Sequence, residues 1–130
     1  MKEKLENITK KIGLVKMIKM MGGFGSFQEK VGDFNFLSDY EIITAIRDCY
    51  DICGAMAAFE LDINPILRFV RDGETHQIEF FGVRGVTVQV ISYLGKYEGE
   101  YQVHYENLKR NELIFILYSY LDYMDYHDLI

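Results

Sequence analysis

The side chains able to do acid–base chemistry are few and widely spaced in this sequence. Its histidines are His76, His104 and His127, and none lies close in sequence to another. Known catalytic spacings, such as Gly-x-Ser-x-Gly, His-Glu-x-x-His or the lysine-containing phosphate loop, do not occur. His76 is expected to point inward from a strand, as a core histidine. We therefore predict no catalytic residues.

One histidine could still belong to a polar cluster. His104 would form an acid–base or metal site with Glu79, Glu98 or Glu100 if the strands that carry them align. The simpler expectation is a solvated sheet face, where His and Glu are common. We therefore expect no metal site and no cofactor.

The two cysteines, Cys49 and Cys53, are four residues apart. On a helix this spacing places them on one face, where they suit burial better than a disulfide, and two further metal ligands are missing nearby. Buried free thiols are typical of a reducing compartment. The pair therefore favours a cytoplasmic protein.

A glycine-rich segment, residues 19–27, raises the question of phosphate binding. A phosphate-binding glycine loop precedes its helix, whereas these glycines follow one, and Gln28 stands where the third glycine of a dinucleotide motif would be. Gly22 and Gly23 are therefore expected to end a helix. The segment 22–37 is then predicted to be a loop.

The spacing of apolar residues predicts the helices before the sheet and the first strands within it. Apolar residues at three- and four-residue spacing predict helices over 2–21 and roughly 39–59, and Ser38 with Glu41 forms a capping box at the start of the second. Alternation then predicts strands 66–71 and 74–81. Asp72-Gly73 between them is a strong hairpin signal and pairs Arg71 with Glu74.

The C-terminal half continues the same pattern. A third strand spans 86–94, and a turn at Gly95-Lys96 or at Glu98-Gly99 leads to a fourth that runs to Tyr105. Asn107 is expected to cap a final helix over 108–126. Residues 1–130 thus predict a single α+β domain with two N-terminal helices, a four-stranded antiparallel meander and one C-terminal helix.

Charge is unevenly distributed along the chain. Residues 1–21 carry six lysines and two glutamates, giving +4, while the remainder carries eight basic and eighteen acidic residues, giving −10. The acidic body argues against direct binding of nucleic acid and points either to solubility or to a basic protein partner. Because no run of about 18 apolar residues occurs, no transmembrane helix is predicted.

Two features suggest surfaces for such a partner. On the last strand, Glu98, Glu100 and Glu106 are predicted to form an acidic row at a spacing of about 6.8 Å per alternate residue. The last helix is apolar on more than one face. Its residues outside the main stripe combine aromatic and acidic side chains and are Phe115, Tyr118, Asp122, Tyr123, Asp125 and Tyr126.

These residues lead to a functional hypothesis of a small acidic interaction protein, an inhibitor or regulator of a basic, nucleic-acid-binding protein. The last helix carries more apolar surface than one sheet face covers, so either a second copy of the chain covers the rest or the first helix folds over it. We expect the second copy, in a homodimer through Phe115, Tyr118 and Tyr126. One alternative is a ligand-binding protein or enzyme that uses the sheet face with His76 or His104. Another is a peripheral membrane protein bound through its lysine-rich first helix, although we expect that helix to pack on the domain.

Overall fold

Helices occupy both ends of the chain and strands occupy its middle. The computed structural model describes the backbone of residues 1–59, 67–71, 73–82, 85–91 and 94–130, and their side chains except those of 54–59, 67–71, 77–82 and 86. The helices are α1 Lys2–Ile12, α2 Leu14–Met20, α3 Phe24–Lys30, α4 Asp39–Phe59 and α5 Arg110–Tyr126. The strands are β1 Leu67–Arg71, β2 Glu74–Gly82, β3 Gly85–Ile91 and β4 Tyr97–His104. The α+β class with an antiparallel sheet is confirmed.

The N-terminal region differs from the prediction of one helix followed by a loop. Gly13 has φ +99°, a conformation open to glycine, and it separates α1 from α2. The segment predicted as a loop contains α3, whose Phe24 and Phe27 are buried three residues apart. The prediction of two N-terminal helices was therefore wrong. The glycines in this segment argued against a helix in the sequence, but packing of these two rings stabilises a short one.

The start of α4 is as predicted. The backbone N–H of Ser38 donates to Glu41 Oε1 over 2.8 Å, and the N–H of Glu41 donates to Ser38 Oγ over 3.2 Å. These two bonds satisfy donors that the first turn of a helix leaves free. Cys49 and Cys53 lie on the core side of α4, both buried as expected.

The sheet is antiparallel, with the strand order β1-β2-β3-β4. The first hairpin has the predicted register, since Arg71 lies opposite Glu74 and Phe69 lies opposite His76. Gly73 has φ +80°, as the turn requires. Its partner in the turn, Asp72, lies outside the described residues.

The second hairpin resolves the alternative that the sequence left open. Strand β4 begins at Tyr97, so the turn precedes it and includes Gly95, which has φ +80°. The strand ends at His104, one residue before the predicted end. Tyr105 to Asn107 instead form a short 3-10 helix, so Asn107 does not cap α5, and Lys109 occupies that position.

Helices α2, α3, α4 and α5 and the segment after α3 supply most of the described core residues, and the inner face of the sheet packs against them. Helix α5 packs against α4, α3 and β1. On the inner face of the sheet, Val88 is fully buried, and Tyr101 and Val103 are partly buried against the core. These contacts leave the outer face of β4 and one side of α5 towards solvent, where the candidate site residues lie.

Candidate functional site

Helix α5 divides its side chains between the core and solvent. The N–H of Lys109 donates to Glu112 Oε1 over 2.9 Å and satisfies one donor at the start of the helix. Its core side buries Leu113, Ile116, Leu117, Tyr120, Leu121 and Met124. The opposite side exposes Phe115, Asp122 and Tyr126, at intervals of seven and four residues that keep them on one face.

The C-terminal end of α5 combines the exposed ring of Tyr126 with the half-buried rings of Tyr123 and His127. The Tyr126 side chain is 83% exposed. The ring of His127 lies 4.4 Å from the ring of half-buried Tyr123 and 5.1 Å from that of Tyr126, between centroids. We refer to Asp122, Tyr123, Asp125, Tyr126 and Asp128 as the α5 surface.

The helix ends in a Schellman turn. The N–H of Leu129 donates to Met124 O over 2.8 Å, and the N–H of Asp128 donates to Asp125 O over 3.2 Å. Asp128 occupies the left-handed position of this turn with φ +56°. Glycine is usual there because a side chain is strained at positive φ. The sequence therefore places a carboxylate where local backbone energetics favour a glycine.

The electrostatics of the α5 surface are one-sided. Asp122, Asp125 and Asp128 are exposed at the helix end that already carries the negative pole of the backbone dipole. Partial burial and the neighbouring charge of Asp125 raise the pKa of Asp122. Each of these effects is relieved by a cation, so this surface attracts positively charged groups.

Strand β4 carries a second acidic surface, shaped by a bulge. Ile91 pairs with Tyr97 and Val90 pairs with Gly99, so Glu98 is an extra residue between them. The bulge brings Tyr97 to the same face as Glu100. Desolvation, the charge of Glu100 and a hydrogen bond to that carboxylate raise the pKa of the Tyr97 hydroxyl. Tyr97 and Leu94, beside the turn, are 56% and 66% exposed.

Glu106 does not belong to the acidic row predicted for β4. It lies in the 3-10 helix after the strand, where its Oε1 is 2.7 Å from Arg47 Nη2 of α4. The change from strand to 3-10 helix at Tyr105 turns this carboxylate towards the cation. On β4 itself the row is limited to Glu98 and Glu100, which are both exposed.

Tyr118, a predicted partner-binding residue, is half-buried and contacts aromatic rings of its own chain. Its ring centroid lies 4.7 Å from that of Phe34 and 5.8 Å from that of Phe24. Helix α3 and the segment after it thus cover the side of α5 for which a second copy of the chain was the expected partner. Phe115, at 37% exposure, lies at the margin of the solvent side.

The histidines are not brought together by the fold. His76 is 5% exposed and lies on the inner face, with its ring 6.4 Å from that of Tyr101. His104 is exposed at the far end of β4, opposite Gly85. No group of three potential metal ligands is found in the described part of the chain. The grooves described near α1 and α2, of 270 to 720 Å³, are lined by neither histidine.

Cys49 and Cys53 have the environment of structural thiols. Both are free, and Cys53 Sγ donates to Cys49 O over 2.9 Å. Burial raises the pKa of Cys49, and it raises that of Cys53 to about 11. A thiol with a raised pKa is a poor nucleophile at neutral pH, because the thiolate is the reactive form.

The apolar side of α1 contacts the domain. Leu5, Ile8 and Ile12 are partly buried against the hydrophobic core. Of the helices that the structure describes, none has both the length and the apolar character needed to cross a bilayer.

Several residues of the two surfaces were not recognised from the sequence. Tyr97 was missed because strict alternation along β4 assigns it to the inner face. The signal was Gly99, since a glycine within a strand commonly marks a bulge. For Asp128, no pattern of side chains in the sequence indicates its left-handed backbone.

Comparisons with protein-family models, with curated proteins and with solved structures give no significant match. Function therefore has to be inferred from the site itself. Fold and site together define an α+β domain that presents two acidic aromatic surfaces, one at the end of α5 and one on β4.

Proposed function

We propose that this protein is a non-enzymatic interaction protein, an inhibitor or regulator, that binds a basic protein partner through the α5 surface. The observation that carries the proposal is the position of Asp128. A carboxylate occupies the left-handed position of the helix-ending turn and adjoins the negative pole of the helix. Both features cost stability locally, and such local costs are typical of functional sites.

Tyr126 supplies the apolar part of this surface. A tyrosine offers a large contact area with little side-chain entropy to lose, and it keeps a hydroxyl for hydrogen bonding. Residues of this type frequently dominate the energy of protein interfaces. An exposed Tyr126 flanked by Asp122 and Asp125 would thus combine an anchor with charges that orient the partner.

The charge pattern favours a partner with a lysine- or arginine-rich groove. The three aspartates of the α5 surface lie within seven residues of sequence. Closely spaced carboxylates on a helix end can occupy a groove that otherwise binds phosphates, and such a groove would also attract the acidic body from a distance. We infer that the partner is a nucleic-acid-binding protein whose groove is blocked by this surface.

The other predicted site residues have secondary roles in the proposal. Glu98 and Glu100 form a separate contact region on β4, and Phe115 borders the α5 surface. Tyr118 contacts Phe34 and Glu106 pairs with Arg47, so the proposal does not rely on these two residues. The buried free thiols favour a reducing compartment, so we place the protein in the cytoplasm. A homodimer through Tyr126 and Phe115 stays a prediction, to be tested by sedimentation.

The experiment compares affinity capture from the lysate of the native host by three immobilised proteins. They are wild type, Asp122→Asn/Asp125→Asn/Tyr126→Ala, and a control with Glu3→Gln and Glu29→Gln, which removes equal charge from exposed positions elsewhere. We expect a basic protein that wild type and control retain, that the triple variant loses, and that elutes as salt rises. Equal retention by all three proteins, or a partner indifferent to salt, would contradict the proposal.

A further inference from the structure

Helices α1, α2 and α3 border a groove of 720 Å³. The residues that line it are four apolar and two cationic side chains, namely Met1, Leu5, Met20, Met21, Lys2 and Lys30. Leu5 and Met21 are half-buried, whereas Met20 is 70% exposed. A ligand with an apolar part would remove this surface from water, which is favourable.

The charge of this groove is opposite in sign to that of the whole chain. Lys2 and Lys30 are exposed, and the ion pairs and side-chain hydrogen bonds among the described residues use neither ammonium. The acidic residues of the three helices are Glu3, Glu6 and Glu29, and none of them lines the groove. In a protein of net charge −6, the groove therefore attracts an anion.

The two cations lie at one end of the groove. Lys30 is the last residue of α3, and a Cβ at Gly32 would lie 3.8 Å from Lys2 Nζ, so both ammonium groups are beside the same helix end. Met20 and Met21 end α2, next to the start of α3. Because α3 has seven residues, the two methionines and the two cations are about 10 Å apart along it. This arrangement matches a ligand with an anionic head and an apolar tail.

The size of the groove favours a small ligand over a protein. Sites for small molecules have about 300–1,000 Å³ and are mostly apolar with a few polar groups. A stable protein interface takes about 20–30 residues on each side, whereas six residues line this groove. Methionine is unbranched and polarisable, so it adapts to an apolar chain, and lysine supplies a point charge for the head group.

We propose that this groove binds a free single-chain amphiphile with a carboxylate head, a fatty acid in chemical class. The tail lies against Leu5, Met20 and Met21. The carboxylate pairs with Lys2 and Lys30. The inference goes beyond the proposed function and does not rest on it, because the α5 surface contributes no residue to the groove.

Isothermal titration calorimetry with dodecanoate, kept below its micelle concentration, tests the proposal. Dodecyldimethylamine oxide has the same tail and a head without net charge, and butanoate has the same head and a short tail. We expect dodecanoate to bind about fivefold more tightly than the amine oxide, as two partly exposed ion pairs allow, and butanoate not to bind measurably. Equal affinity for dodecanoate and for either of the other two compounds would overturn the proposal.

Charge variants separate the groove from the net charge of the protein. Lys2→Gln/Lys30→Gln should weaken dodecanoate binding about fivefold and leave the amine oxide within about twofold, because only the carboxylate loses its partners. The matched control Lys10→Gln/Lys16→Gln removes the same charge from exposed positions of α1 and α2 that do not line the groove. It should leave both affinities within about twofold, since salt screens distant charges. An equal loss of dodecanoate binding in both double variants would overturn the site.

Methionine methyl NMR locates the ligand independently of charge. Dodecanoate should shift the methyl signals of Met20 and Met21 and leave in place that of Met124, which is fully buried in the core. It should also raise the midpoint of thermal unfolding, since a ligand of the folded state stabilises that state. A shift of Met124 without shifts of Met20 and Met21, or a lower midpoint, would overturn the proposal.

Two other occupants of the groove are distinguished by the same signals. If vesicles of phosphatidylcholine and phosphatidylserine bind the protein through Lys2 and Lys30 while monomeric dodecanoate shifts no methionine methyl, a membrane surface is the ligand and the proposal is overturned. If the Met20 and Met21 signals ignore dodecanoate but move on dilution of the protein, the occupant is a second copy of the chain, which overturns it as well.

Discussion

The guanidinium of Arg110 donates through Nη2 to the carbonyl oxygen of Leu37 over 2.6 Å. The same nitrogen lies 3.2 Å from the carbonyl oxygen of Asn35, and Nη1 lies 2.6 Å from Asp39 Oδ1. One side chain at the start of α5 thus holds the turn before α4, more than seventy residues earlier in the sequence. This contact fixes how the two helices that carry most of the core meet.

Replacement of Arg110 should therefore cost stability even where charge is kept. Arg110→Lys retains the cation but cannot direct several donors at fixed angles, so we expect a loss of about 1–2 kcal/mol in the free energy of unfolding. The control Arg47→Lys alters an exposed pair with Glu106 and should cost less than about 1 kcal/mol. Urea denaturation measures both. If Arg110→Lys were as stable as wild type, the positive charge alone would account for the contribution of Arg110 to stability.

Tyr118 and Tyr126 provide a matched pair on one helix. Tyr118→Asp introduces a carboxylate among the rings of Phe24 and Phe34, and we expect a loss of about 2–4 kcal/mol. Tyr126→Asp changes a ring that faces solvent and should cost less than about 1 kcal/mol, from one more negative charge at the negative end of the helix. Denaturant midpoints decide the matter. Similar values for the two variants would remove Tyr118 from the packed cluster.

The contrast between these tyrosines shows where the sequence was sufficient for fold prediction and where it was not. Local signals identified α4, through Ser38 and Glu41, and the first hairpin, through Gly73, because each depends on a few neighbouring residues. The cover over Tyr118 depends on α3, which is seven residues long and contains a glycine. Such a helix exists because tertiary packing stabilises it, and single-sequence periodicity carries little information on that.

Gly13 and Gly25 should respond to alanine with opposite signs. Gly13 has φ +99°, and alanine there is strained although no atom crowds it, so Gly13→Ala should destabilise by about 1–2 kcal/mol. Gly25 lies within α3 with open space around it, and Gly25→Ala should stabilise by about 0.5–1 kcal/mol. Thermal unfolding of both variants gives the signs. If Gly13→Ala were stabilising, α1 and α2 would be able to join as one helix.

Prediction of the site residues was also limited to what local sequence determines. Acidic and aromatic residues on α5 were recognised from composition and helical spacing, and Asp122, Asp125 and Tyr126 are indeed exposed. Glu106 was misassigned because alternation on a strand continues on paper after the backbone has turned into a 3-10 helix. Tyr97 was missed because the extra residue at the bulge shifts the alternation, so that the preceding side chain lies on the opposite face of the sheet.

Asp128 is expected to increase affinity for the partner and to lower the stability of the fold. Asp128→Gly relieves the left-handed strain and removes a negative charge from the negative end of α5, so we expect a gain of about 0.5–1.5 kcal/mol in stability. Asp128→Asn keeps a side chain that tolerates this backbone and should gain less. Affinity for the captured basic partner should fall in both variants. A gain in stability without any loss of binding would leave Asp128 outside the interface.

The raised pKa of Asp122 predicts a small, pH-dependent effect of its neutralisation. Burial first, and then the charge of Asp125, raise its pKa above the ordinary value of 3.8, so the folded protein holds this proton more tightly than the unfolded chain does. The stabilising contribution of that proton is complete below pH 3.8 and is lost as the pH rises through the folded pKa. At pH 7 the charged carboxylate is therefore slightly unfavourable. Asp122→Asn should be more stable than wild type at pH 7 by less than about 0.5 kcal/mol, because the site is largely exposed and screened.

The difference between Asp122→Asn and wild type should disappear at acid pH, where both side chains are neutral. Urea unfolding at pH 7 and at about pH 3.5 measures it. Asp48→Asn is a parallel case on α4, since burial and the charge of Asp51 raise the pKa of Asp48 in the same way. The opposite result, an Asp122→Asn protein less stable than wild type at pH 7, would mean that the wild-type carboxylate accepts a stabilising contact in the folded state. Asp122 would then have a structural role and would not be available to a partner.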